Sequence, residues 1–181
     1  MNEIKASVFI ATSLDGFIAR KDGSLDWLDK MNATVTPGED CGYMKFIESV
    51  DVLVMGRNSY EKVLSFGIDW PYTIPVVVLS RQNLEIPEEL MGKVTHQNLA
   101  PVELCDFLKS EGYKSIYVDG GNTISRFLKA GLISEMIITQ VPVVLGEGIP
   151  LFDGLESDLE LKLLSSQSFD FGFVQNRFEV V

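Results

Sequence analysis

The sequence predicts an α/β layer fold with a mixed, mainly parallel central sheet, and three observations point to it. Strand-like apolar runs alternate with amphipathic stretches along most of the chain. The last two apolar runs instead follow one another directly around a short Asp-Phe-Gly segment, which is the mark of an antiparallel hairpin. No linker, repeat or low-complexity tract interrupts the pattern, so residues 1–181 are read as one domain.

The elements follow in order. Lys5–Ser13 (KASVFIATS) reads as a buried first strand. Residues 40–50 place Tyr43, Phe46, Ile47 and Val50 at helical spacing, giving one apolar face. Residues 51–55 form a short buried strand that Gly56 ends, and residues 58–64 a second helix. Residues 76–80 are another near-continuous apolar strand. Pro101 opens a helix, where its missing N–H costs nothing, and Gly112 follows the helix end. Leu104, Phe107 and Leu108 supply its buried stripe. Residues 115–118 are a strand, and Gly120-Gly121 starts a helix carrying Ile124, Phe127 and Leu128. Residues 136–141 are a strand, and residues 159–168 and 173–180 the closing hairpin.

Composition narrows the function. A net charge of −11 argues against nucleic acid as a general partner, because phosphate contacts need clustered Lys and Arg. It leaves room for a phosphorylated small molecule held by a few basic groups and backbone amides. No apolar run approaches a membrane span, and the opening Met-Asn-Glu-Ile-Lys is not a secretory signal. Cys41 and Cys105 are isolated and read as reduced cytosolic thiols, so a cytoplasmic location is expected. His96 is the only histidine, and no metal site is expected.

Four segments carry candidate chemistry. Met55-Gly56-Arg57-Asn58-Ser59 lies where a buried strand meets a helix. Asn58 or Ser59 can cap that helix, and its free N–H groups with Arg57 would attract an anion. Taken alone, the same residues also read as an ordinary strand–helix junction with a solvated arginine. Val78-Leu79-Ser80-Arg81 repeats the logic at another strand end, and two such ends would clasp a ribose phosphate, favouring NADP over NAD. Val118-Asp119-Gly120-Gly121-Asn122 runs a strand into a glycine pair, which admits a pyrophosphate or simply makes a tight turn. It lacks the GxGxxG fingerprint. Residues 13–19 (SLDGFIA) turn at Asp15-Gly16 and then place Phe17 and Ile18 in a loop, against a flat ligand ring or against the core. Leu145-Gly146-Glu147-Gly148 is read as a turn.

Taken together, these segments resemble the dihydrofolate reductase superfamily, in the branch of the riboflavin-biosynthesis reductase (RibD C-terminal) domain, as a stand-alone member. SLDGFIA with DGSLDWL resembles the opening of that branch, MGRNSYE the helix start of dihydrofolate reductases, and VDGGNTISRFLKAGLISEMIITQVPVVLGEGIPLF its long C-terminal block. The resemblance implies a three-layer α/β/α sandwich of the dihydrofolate reductase type and NADPH as cofactor. By position it places the nicotinamide against Ala11, Ile18 and Ala19. Phosphates go to Gly56, Arg57, Asn58 and Ser59, and the adenosine side to Leu79, Ser80 and Arg81. The pyrophosphate falls over Asp119, Gly120, Gly121, Asn122 and Thr123.

The resemblance also implies a catalytic acid at Asp40, beside Glu39, with Thr139 as its partner. A buried acid at a cofactor face would have a raised pKa and suit proton donation. Read locally, Asp40 is a helix N-terminal acid answering the dipole. The expected activity is hydride transfer from NADPH to a C=N or activated C=C bond of a small heterocycle. Riboflavin-precursor or dihydrofolate-type reduction and a non-catalytic nucleotide-binding module are the alternatives. Residues 70–75 (WPYTIP) hold no basic residue where dihydrofolate reductases grip the folate tail. Lys45 and Lys62 are the remaining candidates for a substrate phosphate. A homodimer is expected from the branch, through the apolar C-terminal strands.

Overall fold

A computed structural model describes residues 4–181, so Met1–Glu3, the start of the segment read for a leader, lie outside the described residues. In chain order the elements are β1 (Lys5–Ser13), β2 (Phe17–Ala19), α1 (Asp26–Asn32), α2 (Tyr43–Ile47), β3 (Val52–Gly56), α3 (Arg57–Ser65), β4 (Val76–Leu79) and β5 (Val94–Gln97). They continue as α4 (Pro101–Ser110), β6 (Ser115–Asp119), α5 (Gly121–Lys129), β7 (Ile133–Val141), β8 (Ile149–Pro150), β9 (Leu161–Ser168) and β10 (Val174–Val180).

The main sheet has eight strands in the order β5-β4-β3-β6-β1-β7-β10-β9. The strands from β5 to β7 pair in parallel, and β10 and β9 close the sheet antiparallel. Parallel strands are covered on both faces, which is why β3 reads as a continuous apolar run. Val52, Leu53, Val54 and Met55 are all fully buried. On one face α4 and α5 pack through Leu104, Leu108, Ile124 and Phe127. On the other α2 and α3 pack through Phe46, Ile47 and Tyr60. Each such fully buried side chain contributes about 1.5–3 kcal/mol. This is the three-layer arrangement of the dihydrofolate reductase type.

Three expectations change. The helix expected over residues 40–50 shrinks to Tyr43–Ile47, because Cys41 (φ 53°) and Gly42 (φ 81°) adopt left-handed backbone. A right-handed helix cannot pass through them. Beyond Ile47, the Ser49 amide and hydroxyl both donate to the Phe46 carbonyl, at 2.9 and 2.6 Å, and end the helix. The second correction concerns α3, whose N-cap is Gly56 with no side-chain cap, so neither Asn58 nor Ser59 caps it. Finally, α1 and β5 were not anticipated. Trp27 anchors α1 in a small cluster with Val141 and Phe173, while β5 is paired edge-on to β4 through Val94, Thr95, His96 and Gln97.

The hairpin forms as expected, with Gly172 (φ 92°) in its turn. The 145–148 turn is real and has a partner. Asp15, in the loop after β1, accepts the backbone N–H groups of Gly146 at 2.7 Å and Leu145 at 3.1 Å. That clasp brings β2 against β8 as a second, two-stranded sheet. No helix among the described residues is long and apolar enough to cross a membrane.

Candidate functional site

Divergence of two neighbouring strands opens the site. β1 pairs with β6 only from Lys5↔Ser115 to Ser7↔Tyr117. Beyond that β1 follows β7 as far as Ser13↔Val141, while β6 follows β3 as far as Asp119↔Met55. The carboxyl ends of these strands therefore flank a crevice, the usual ligand position in an open α/β sheet. A cleft of about 1010 Å³ occupies it, at the upper end of the range for small-molecule sites.

Two helices begin at this cleft with nothing capping them. α3 starts after Gly56 and α5 after Gly120, and neither N-cap makes a side-chain hydrogen bond. Their first-turn N–H groups remain available for an anion, with the helix dipoles behind them. The approach is close at three glycines. A Cβ on Gly56 would lie 2.9 Å from Thr123 Oγ1, one on Gly121 2.7 Å from Ile18 Cδ1, and one on Gly120 would overlap the Ser59 hydroxyl. Gly120 also has φ 87°. Arg57, Lys62 and Arg126 add positive charge to the lining. Glycine approach, free helix N-termini and three cations together fit a dinucleotide phosphate group.

Over residues 5–175 the sequence matches the model of the RibD C-terminal domain. The chain belongs to that family. It is 37% identical over 170 residues to “Uncharacterized protein YwjB” of Bacillus subtilis (strain 168), covering 92% of this chain and 93% of that protein. A second protein of that strain, “Uncharacterized protein YyaP”, is 30% identical over 92% of this chain and 89% of its own length. Among solved structures, the “Putative riboflavin biosynthesis protein” of Shewanella sp. PV-4 superposes with a TM-score of 0.92 at 43% identity, covering 98% of this chain and 99% of that one. A diaminohydroxyphosphoribosylaminopyrimidine deaminase/5-amino-6-(5-phosphoribosylamino)uracil reductase of Thermotoga maritima matches at TM-score 0.76 and 14% identity. That match covers 99% of this chain and 57% of the longer protein, and it shows a shared fold.

Within this RibD C-terminal fold the residues named from the sequence largely converge. Ala11, Ile18, Ala19, Gly56, Arg57, Asn58, Ser59, Leu79, Asp119, Gly120, Gly121, Asn122 and Thr123 all line the one cleft. Ser80 and Arg81 do not. The Ser80 hydroxyl is spent locally, donating to the Gln82 carbonyl at 2.8 Å and accepting its N–H at 3.1 Å. The side chain of Gln82 instead accepts from Arg57 Nη1 at 2.5 Å, and Glu61 accepts from Arg57 Nε. The strand end thus acts on the cleft through Gln82 rather than through Arg81.

Asp40 is corrected more sharply. It is exposed and lies outside the cleft lining. Its carboxylate accepts the N–H groups of Gly42 and Met44, both at 2.8 Å. Those bonds, Met44 first, hold its pKa below the usual carboxylate range instead of raising it. The local reading is the one the structure shows. Thr139 is buried and sits opposite Ala11 in the register, so it backs the cleft wall. Its Oγ1 accepts from Gln175 Nε2 at 2.9 Å, and the same nitrogen donates to the Cys41 carbonyl at 2.9 Å. Thr139 therefore reaches the 40–42 turn through Gln175, with no contact to Asp40. Lys45 lies on α2 away from the cleft, whereas Lys62 lines it.

Three acids line the cleft, Asp22, Glu61 and Asp119, and Asp119 stands at the end of β6 beside Gly120. It is half-buried, and burial pushes its carboxyl up to about 6, against the N–H of Gly120 and the Tyr117 hydroxyl. That hydroxyl has its own acceptor, the Phe9 carbonyl at 2.9 Å. Tyr43, Tyr72 and Tyr117 are each raised by burial first and by the Asp119 charge second. Leu25, Leu28 and Tyr72 also line the cleft and escaped the sequence reading. The apolar spacing in LDWLDKM was the available signal for the leucines, and Tyr72 had none.

Proposed function

We propose that this chain is an NADPH-dependent reductase that delivers hydride to a C=N or activated C=C bond of a small heterocycle. The observation that carries this is the convergence of two uncapped helix N-termini and the Gly120-Gly121 pair on one cleft with Arg57. Arg57, Lys62, Arg126 and the first-turn amides of α3 and α5 would hold the nucleotide phosphates. Ala11, Ile18 and Ala19 would form an apolar wall for its ring. NADPH, when bound, supplies the hydride. Asp119 supplies the matching proton and recovers one from solvent at the cleft mouth, so hydride and proton together reduce one double bond. A carboxyl that titrates near 6 is suited to that task close to neutral pH. Asp40 takes no part in this reading. The uracil reductase among the proteins of this fold supports a pyrimidine-like ring as substrate.

The same reading makes the protein a cytoplasmic homodimer. Both cysteines are free thiols, and β9 is an exposed edge strand carrying Leu161, Leu163 and Leu164. A monomer by light scattering would count against the dimer.

Titration with NADPH and NADH, followed by quenching of Trp27 and Trp70, tests the reading. Binding that prefers NADPH and weakens in Arg57→Ala supports it. Binding of neither nucleotide would remove it.

A further inference from the structure

We infer that Glu61 sets the balance between NADPH and NADH by partly neutralising Arg57, and that Gln82 is the positioning residue that aims this arginine at the phosphate NADH lacks. The inference rests on the reductase reading above and deepens it at the cofactor end of the cleft.

It begins from where Arg57 is held. β6, β3 and β4 stand side by side in the sheet. α5 follows β6 and α3 follows β3, so a diphosphate seated on the two helix N-termini spans the ends of those strands. Gln82 lies just beyond β4, on the other side of β3 from β6. Arg57 Nη1 donates to Gln82 Oε1 at 2.5 Å. The guanidinium is thereby drawn toward β4, one strand beyond the seat of the diphosphate. An anion bound there is a further phosphate of the dinucleotide, the one that NADPH carries on its adenosine ribose.

The second observation is what Arg57 has left to offer. Its Nε donates to Glu61 Oε1, one helical turn along α3, at 2.5 Å. The remaining N–H groups, including both on Nη2, have no acceptor among the described residues. A phosphate that reaches Nη2 therefore finds free donors, but it also meets the repulsion of the Glu61 carboxylate close by. Lys62 does not offset that charge at the helix start. Its Nζ lies 5.8 Å from the ring centroid of Phe66, a turn further toward the C-terminus of α3. A carboxylate beside an adenosine ribose also accepts its free hydroxyl, which favours the unphosphorylated dinucleotide. Arg57 and Glu61 thus pull the choice of cofactor in opposite directions. The preference for NADPH is smaller than Arg57 alone would give.

Calorimetric titrations of the parent, Glu61→Gln and Gln82→Ala with NADP+ and NAD+ decide the matter. Glu61 is exposed and glutamine is as good a helix former, so the first variant keeps its fold. Glu61→Gln is expected to bind NADP+ about tenfold tighter than the parent, with NAD+ within about twofold or weaker. Gln82→Ala should weaken NADP+ about fivefold, the worth of one net hydrogen bond, and leave NAD+ unchanged. The ratio of the two affinities is the deciding readout, because a merely structural role would move both together. Equal gains for NADP+ and NAD+ in Glu61→Gln would put Arg57 on the shared diphosphate and overturn the inference. NADP+ affinity that stays the same or falls in that variant would overturn it too. Either result, with NADP+ bound by the parent, leaves the reductase reading standing. Binding of neither nucleotide by the parent removes that reading and this inference with it.

Discussion

Gly120 meets Ser59 at the point where the two helices of the cleft begin, so closely that a Cβ on Gly120 would overlap the Ser59 hydroxyl. This contact sets the spacing of the α3 and α5 N-termini. Gly120 also holds φ 87°, which L side chains rarely adopt. Gly120→Ala is expected to cost on the order of 1–3 kcal/mol in urea unfolding. Adding Ser59→Ala should return part of that loss, the clash, and leave the part due to φ. A double variant no better than the single one would show that the backbone conformation alone is responsible.

Asp119 gives the protein a measurable pH dependence. Its pKa rises from 3.8 unfolded to about 6 in the fold. The native state holds this proton more tightly, so stability is greatest below the unfolded value and is lost as pH rises through the folded one. Asp119→Asn should therefore be more stable than the parent above that range, by on the order of 1–2 kcal/mol once solvent contact is allowed for. The two should converge under acid conditions. Thermal melts across the range check this, and a constant difference would contradict it.

Arg57 and Arg81 separate by position. Arg57→Ala should weaken NADPH binding about tenfold, the worth of one charge-assisted phosphate contact. Arg81→Ala should leave it within about twofold, because Arg81 stands outside the cleft. Equal losses in both would return Arg81 to the cofactor site.

Gln175 links the closing strand to the wall of the cleft. Gln175→Leu removes donors to Thr139 Oγ1 and the Cys41 carbonyl, each at 2.9 Å. A loss of about 1–3 kcal/mol is expected in denaturant unfolding. Thr139→Val tests the same bridge from its other end, and the two losses should be non-additive when combined.

The Asp15 clasp is acid-sensitive. The Ser13 hydroxyl first, opposed by burial and aided by the amides of Gly146 and Leu145, lowers this carboxyl to about 2. Its contribution is present above the unfolded value of 3.8 and disappears as pH falls through the folded one. Hydrogen exchange at the Leu145 and Gly146 amides should accelerate about tenfold or more in Asp15→Ala at neutral pH. Unchanged protection would mean that β2 and β8 hold the turn without it.

Much of the molecule was written locally. Lys5–Ser13 matched its strand because residues 8–11 form an apolar run at its centre, and α5 followed Gly120 because glycine supplies the left-handed entry. The glycine and arginine motifs named most of the cleft, since strand ends of a parallel sheet share one edge. Tertiary structure decided the rest. β5 is an edge strand whose signal lies in its pairing with β4 rather than in its own residues. Asp40 and Asp119 look alike along the chain, yet the fold gives them opposite surroundings. Asp40 is solvated and bonded to two amides, whereas Asp119 lies where β1 leaves β6, near Tyr117 of its own strand and Tyr43 and Tyr72 of two distant segments. A carboxyl's proton affinity is set by its surroundings, and only the fold brings those surroundings together.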